Sequence, residues 1–408
     1  MLIHKLKQTL KRNPFLWSVN ARFKEVLITR ASARIARSYA DQAHARGLVY
    51  SESVELEHLR RKLTQRGILI SAVPRGKLRI FWAGANWNQD NSGFLAALHT
   101  FGDVTCLHNA RGGYGWCYES ADRVIFKYNA DVVRSNDGCL IEQVKQACSI
   151  GKIQVLMGQM WANFVSTHAL GQIQKMGIIT VNVSMDDRLP EHWESYKGIR
   201  LGSVGLAGGL DLVLTSSSDC CVRYAVEGCP AIFWPMASDP ERFKPFPEDQ
   251  KRYDVSFIGG KYGQRGRIIR RLLHAGIKVE AFGPGWSNGP VNADQSAEIF
   301  GKSRIILGMG TIAYNKNIYT LKLRDFDATM TGALYITHRN PDLLALFEEG
   351  REIECYLTID ECVKKIRYYL DHPVERQSIA EAGMTRARRD HTWDLRLSTA
   401  LQYMGLLD

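Results

Sequence analysis

The chain predicts an α/β protein built from two Rossmann-like, doubly wound parallel-sheet domains that face a common cleft, with a helical N-terminal extension. Three observations predict it. Short apolar strands alternate with helical patterns from residue 78 onward, and strands that alternate with helices form parallel sheets covered on both faces. The alternation breaks at a polar, proline-containing stretch over residues 235–253 and then resumes. A length of 408 residues with 45% hydrophobic and 23% charged side chains suits two or three globular domains. The divisions are a basic extension over 1–77, a first domain over 78–245 and a second over 246–408.

The extension carries the charge. Residues 1–77 hold 16 Lys/Arg against 5 Asp/Glu, which is the whole formal +11, while 37 of each remain in the body. A neutral body excludes a nucleic-acid-binding surface within the folded domains. Leu2, Ile3, Leu6 and Leu10 share a helical face, with Lys5, Lys7, Lys11 and Arg12 elsewhere. After Pro14 a second stripe runs through Phe15, Leu16, Val19, Phe23, Val26 and Leu27. A basic amphipathic segment over residues 1–30 fits an anionic membrane surface. The alternative is that these faces pack on the body or on a second subunit, giving a homodimer.

The nine cysteines show no C-x-x-C spacing and sit mostly in apolar segments, and no apolar run reaches 18 residues. Reduced thiols and a cytoplasmic chain that does not span a membrane are the expectation.

In the first domain, residues 78–82 read as a buried strand ending in the loop Ala83-Gly-Ala-Asn86-Trp87, with a helix over 94–101 and a strand over 104–107. Further strands are expected over 153–157, 178–183, 212–215 and 231–234, with helices near 166–176 and 219–227. Asp186 and Asp187 follow the 178–183 strand and should emerge at the cleft, where a carboxylate can take a proton from an acceptor hydroxyl. Capping a turn or binding Arg188 is the competing role. His168, opening a helix, is a further base candidate against a structural histidine. Asn86 and Trp87 are candidates to touch acceptor or sugar.

The second domain opens with DVSFIGGKYGQRGRIIRRLLHAGIKVEAFGPGW over residues 254–286. It reads as strand, glycine loop, helix, strand, the outline of a phosphate cradle. Gly259 and Gly260 permit close backbone approach, Lys261 and Arg265 add positive charge, Gly283 stops the next strand, and Trp286 is placed near a nucleobase. Neither the Walker spacing nor G-x-G-x-x-G is present, so an ordinary tight turn stays open. Residues 320–337 read as helix, glycine stop and buried strand. Lys322 and Arg324 there can neutralise a diphosphate, and Asp327 one turn on can accept ribose hydroxyls; a solvated helix start is the alternative. Asp325-Phe-Asp327 is a literal D-x-D, but its helical setting and Phe326 argue against metal binding. No metal and no other cofactor is expected.

Arg324-Asp-Phe-Asp327-x4-Gly332-Ala-Leu334, followed by residues 347–353, 368–373, 379–383 and His391-Thr-Trp393, resembles the C-terminal domain of CgeB-like, family-1-like glycosyltransferases, over residues 254 to about 396. Residues 181–187 resemble, more loosely, the strand ending in paired aspartates of their N-terminal domain. The resemblance implies a GT-B fold and transfer of a sugar from a nucleotide-sugar donor, UDP-linked, to an acceptor hydroxyl without a metal. It places Gly260 and Arg265 by the donor diphosphate, Lys322 and Arg324 on its phosphates, and Asp327 where the family usually has a glutamate. Tyr319 stands where related retaining enzymes carry a second glutamate, so the stereochemical outcome is not legible. With the basic arm, a lipid-linked glycan acceptor at the inner membrane face is the expectation. The alternative is a non-catalytic nucleotide- or glycan-binding protein of spore-coat or assembly type, which would bind donor without turnover.

Overall fold

The computed structural model describes residues 14–117, 128–196, 198–312, 315 and 317–408. Its strands are β1 (Leu78–Ala83), β2 (Gly102–Cys106), β3 (Val155–Gly158), β4 (Ile179–Ser184), β5 (Ser195–Tyr196), β6 (Ile199–Arg200), β7 (Leu212–Thr215), β8 (Ala231–Phe233), β9 (Tyr253–Ile258), β10 (Val279–Phe282), β11 (Ser303–Leu307), β12 (Leu334–His338) and β13 (Glu354–Tyr356). The helices are α1 (Pro14–Ala45), α2 (Glu52–Gln65), α3 (Leu95–His99), α4 (Ala130–Ile150), α5 (Thr167–Lys175), α6 (Cys221–Val226), α7 (Arg265–His274), α8 (Ala293–Gly301), α9 (Leu323–Met330), α10 (Pro341–Leu344), α11 (Ile359–Asp371), α12 (Pro373–Asp390) and α13 (Trp393–Tyr403).

Two all-parallel sheets result, six strands in the order β2-β1-β3-β4-β7-β8 and five in the order β10-β9-β11-β12-β13. Strands β3, β4, β7 and β12 are buried along their whole length, which is why they read as continuous apolar runs. In each sheet the order reverses beside the first strand, between β1 and β3 and between β9 and β11. Crevices at the carboxyl ends of strands open at such reversals, where ligands collect.

The extension is not free. Tyr39 and Ala43 of α1 lie in the first lobe's core, and Leu59 and Leu63 of α2 are fully buried. Phe23, Val26 and Leu27 of the second stripe stay exposed. The stripe through Leu2 to Leu10 with its lysines lies outside the described residues, as do the side chains of Phe15, Leu16 and Val19.

The chain also returns at its end. In α13, Trp393 packs edge-on against Phe94 at 5.1 Å and near Trp234 at 5.9 Å, and Arg396 O accepts a hydrogen bond from Trp234 Nε1 at 3.0 Å. The last helix therefore sits on the first lobe, although the sequence places it with residues 246–408. Helix α4, absent from the sequence reading, covers the first sheet with Val133, Leu140, Val144 and Ala147. The helix expected over 94–101 is shorter, because Asp90–Phe94 forms a π turn with Gly93 at φ 137°. There a Cβ would lie 2.4 Å from Asp239 Cβ, so only glycine lets this turn approach the interlobe linker.

Candidate active site

A cleft of about 410 Å³ lies between the lobes. Its walls are the segment after β1 (Asn86, Asn88, Gln89, Ser92), the end of β4 (Met185, Asp186), the loop after β9 (Gly259, Tyr262, Arg265), the start of α8 (Asn292, Ser296) and the start of α9 (Lys322, Arg324, Asp327).

Arg265 and Arg324 form the cationic wall. Their relative exposures are 6% and 9%, and neither has a carboxylate within ion-pair distance among the described residues. Arg265 Nη1 donates to Gly260 O at 3.0 Å, and Arg324 donates to Ile258 O and Met309 O. Both guanidiniums lie over the Phe257 ring, at 5.6 and 4.8 Å, and Arg265 also lies 3.9 Å from the Tyr262 ring centroid. Both Nε atoms are buried without a hydrogen-bond partner. Burial, with Arg324 adding to it, lowers the Arg265 pKa to about 10. Two adjacent buried cations without counter-charge are costly unless an anion shares the site. Gly259 makes the arrangement fit: its φ is 153°, and a Cβ there would sit 2.9 Å from Arg324 Nη1 and 3.2 Å from Arg265 Nη1.

His338 lies close behind. It is 8% exposed with Nδ1 unpartnered. Burial and the two guanidiniums pull its pKa down to about 4, so it is neutral at pH 7.

Lys322 comes from the same lobe but is paired across the cleft, its Nζ 3.0 Å from Asp186 Oδ1. Asp186 is the only non-glycine residue with positive φ among the described residues, at 62°. Burial raises its carboxyl pKa, but Lys322 outweighs this and holds it below the ordinary value. Asp187 points the other way. It is fully buried, accepting from Ser184 Oγ and, at 2.5 Å, from Thr215 Oγ1. It is therefore a structural carboxylate beneath the cleft, corrected from the expectation that both aspartates emerge.

Asp327 lines the cleft floor and accepts from Ser238 Oγ at 2.7 Å. Burial pushes its carboxyl well above the usual carboxylate range, against that hydrogen bond. Asp325 instead accepts from Lys322 N at 2.7 Å and from the Tyr335 hydroxyl. The two carboxylates of the D-x-D thus serve different partners. Among the described residues no group of three His, Cys, Asp or Glu is arranged to hold a metal ion.

Of the other expected residues only Asn86 is part of the cleft wall. His168 is exposed, with Nε2 2.7 Å from Gln172 Nε2. Trp286 Nε1 donates to Gly259 O at 2.7 Å, so the indole props the glycine loop, and Lys261 Nζ lies 5.0 Å over its ring. Gly283 lies under the same loop, where a Cβ would meet Gly259 C at 2.7 Å. Gly260 contributes its carbonyl to Arg265. Asn86 lines the cleft and caps the turn that follows, accepting from Gln89 N at 3.4 Å; its neighbour Trp87 is 51% exposed and not part of the cleft wall. Sequence reasoning missed Asn88, Gln89, Tyr262, Asn292 and Ser296. Of these only Asn292 carries a local signal, the Asn-x-x-Gln capping box that opens α8.

Residues 265–402 match the family model described as Glycosyl transferase-like. The chain has the GT-B fold. Among solved structures, this GT-B chain resembles Anabaena HepE in complex with UDP-glucose at TM-score 0.57 and 12% identity, covering 80% of this chain and 100% of that one. It resembles sucrose-phosphate synthase from Thermosynechococcus elongatus at TM-score 0.53 and 11% identity, covering 80% and 98%. A glycosyltransferase from Rickettsia africae ESF-5 aligns at TM-score 0.55 and 10% identity, covering 81% and 98%. No curated protein matches the chain by sequence.

Proposed function

We propose that this glycosyltransferase moves a sugar from a nucleotide-sugar donor, UDP-linked, to an acceptor hydroxyl. The observation that carries the reading is the pair of buried guanidiniums, Arg265 and Arg324, which have no carboxylate within ion-pair distance among the described residues, at the reversal point of the second sheet. A nucleoside diphosphate supplies the missing charge, and as leaving group it gains negative charge that those cations stabilise. That HepE is seen with UDP and with UDP-glucose supports uridine.

Lys322 completes the set by exchange. With the cleft empty its ammonium rests on Asp186; a donor phosphate competes for it and leaves the Asp186 carboxylate facing the acceptor side, placed to take the acceptor's proton. Asp327, held from behind by the buried Ser238 hydroxyl, presents a carboxyl oxygen to a ribose. No step in this scheme uses a metal or other cofactor.

The acceptor is a glycan, lipid-linked at the inner membrane face. The support is the exposed apolar trio Phe23, Val26 and Leu27 on a helix rich in arginine. Among the described residues no helix is long and apolar enough to cross a membrane. Because α1 and α2 are part of the core, the test is substitution rather than deletion. Phe23→Ser with Leu27→Ser should abolish co-flotation with anionic liposomes, and flotation equal to wild type would defeat the membrane part.

The donor is tested by thermal shift with UDP, GDP, dTDP, CDP and ADP and their sugar conjugates, on wild type and Lys322→Ala. UDP and a UDP-sugar should raise the wild-type Tm, with a smaller rise in the variant. No stabilisation by any diphosphate would overturn the reading. Stabilisation without donor turnover would favour a non-catalytic binder.

A further inference from the structure

We infer that the exposed Trp87 beside the cleft is an acceptor subsite, on which the terminal sugar ring of the glycan acceptor stacks. The inference rests on the donor assignment above and adds what lies opposite it.

Trp87 is 51% exposed and lies in the chain between Asn86 and Asn88, which line the cleft. Its indole is braced edge-to-face by Tyr114 at 5.1 Å, and Tyr114 in turn lies near the exposed His108 at 6.4 Å. An exposed indole has no packing reason to be held still. Here the ring that braces it is fixed by a buried polar network: the Tyr114 hydroxyl donates to Asp90 Oδ2 at 2.7 Å, Trp82 Nε1 donates to the same oxygen at 3.0 Å, and Gln159 Nε2 lies 3.4 Å from Oδ1. Asp90 is 1% exposed. Even the backbone is shaped around it, since a Cβ on Gly84 would lie 2.3 Å from both Asp90 Oδ2 and the Tyr114 hydroxyl. Burying a carboxylate is costly, and the result of this one is a rigid aromatic platform facing solvent.

The groups around the platform have the complementary chemistry. A pyranose has an apolar C–H face and a rim of hydroxyls, which calls for an aromatic face ringed by groups that both donate and accept. Trp87 Nε1 and the Asn88 carboxamide make no hydrogen bond among the described residues, and the Gln89 amide nitrogen has only the Met185 sulfur at 3.3 Å. Two underused carboxamides thus stand beside one exposed ring whose own Nε1 is unpartnered among the described residues, on the lobe opposite Arg265 and Arg324. Asp186, which would take the acceptor proton, lines the same cleft.

The test is binding of labelled full-length protein, with UDP present, to a glycan array, for wild type, Trp87→Ala and Trp87→Phe, with thermal shift by UDP in parallel. The expected result is a wild-type signal on a subset of saccharides that falls about tenfold in Trp87→Ala and within about threefold in Trp87→Phe, with the UDP shift unchanged in all three. No saccharide signal with wild type, or an equal signal with Trp87→Ala, would overturn the inference while the UDP shift stands. Loss of the UDP shift in wild type would instead remove the donor reading beneath it.

Discussion

Asp186 and Lys322 meet across the cleft, and their pairing decides what a substitution should do. Asp186 holds a left-handed backbone at φ 62°, a conformation that Asp and Asn tolerate better than other side chains. Asp186→Asn is therefore expected to fold normally while freeing Lys322 for phosphate. The carboxylate is 39% exposed, so the pair is worth only a partly screened ~0.2–1 kcal/mol. UDP should accordingly bind about two- to fivefold more tightly by calorimetry, while sugar transfer falls sharply. Unchanged or weaker UDP binding would mean that Lys322 is not the group the donor recruits. Gly259→Ala makes the opposite case. Its Cβ would press on Arg324 and Phe257 from a backbone that suits only glycine, so we expect a loss of about 1–3 kcal/mol in urea unfolding together with loss of the UDP-induced thermal shift.

The turn from Gly84 to Phe94 carries a carboxylate in its interior, and that element should be readable by pH. Burial raises the Asp90 pKa from 3.8 to about 6, against the hydrogen bonds from Tyr114 and Trp82. Because the folded pKa lies above the unfolded one, the folded state holds a proton between roughly pH 4 and 6 that the unfolded chain releases. This contribution to stability is present at the low end and is lost as pH rises through about 6, by up to about 2–3 kcal/mol. The Tm of Asp90→Asn relative to wild type should thus be higher at pH 7.5 than at pH 5, and a pH-independent difference would show that burial does not raise the Asp90 pKa. The same element marks the limit of what sequence shows. β7, at Leu212–Thr215, and β10, at Val279–Phe282, fall where apolar runs between turns place them, and the cationic residues Arg265, Lys322 and Arg324 are legible because charge beside a glycine loop or a helix start has a reason to be there. Asp90 is not, since an aspartate after an Asn-Trp-Asn run looks like any loop residue until Trp82, Tyr114 and Gln159 converge on it from three separate segments. The same holds for α4, whose Val133, Leu140, Val144 and Ala147 follow a helical period behind the Asn129 cap but are diluted by Asn136, Asp137 and Gly138. Asp187 fails for a related reason: strand-end position puts two aspartates near the cleft, and only the backbone turn at Asp186 sends one outward and one inward.

At the scale of the whole molecule, the two lobes are held by contacts that neither sheet supplies. Ile28 of α1 packs with Leu189 of the first lobe and with Ile312 and Ile318 of the second. Asn315 Nδ2 donates to Glu25 O at 3.1 Å and to Thr29 Oγ1 at 2.7 Å, and Ser32 Oγ donates to Arg188 O at 3.0 Å. The N-terminal helix therefore lies across the junction, and Arg188 sits beneath it as a clamp. Its guanidinium meets Asp219 of its own lobe at 2.6 Å and Asp342 of the other at 2.7 Å, and donates to Tyr319 O at 3.1 Å. Asp342 is 3% exposed, so removing Arg188 leaves a buried carboxylate with the Ser218 hydroxyl at 2.5 Å as its remaining cross-lobe partner, a loss on the order of 3 kcal/mol. Arg188→Ala should lower the Tm and enlarge the radius of gyration measured by X-ray scattering, because the lobes lose their bidentate link while each sheet stays intact. Arg188→Lys keeps the charge but not the fork, and should fall between the two. UDP would be expected to restore most of the wild-type radius in Arg188→Ala, since its phosphates would draw the Arg265 and Lys322 wall back toward the first lobe. A variant whose radius and Tm match wild type would place the hinge resistance in Ile28 and α13 instead, and would leave the Arg188 ion pairs without mechanical consequence.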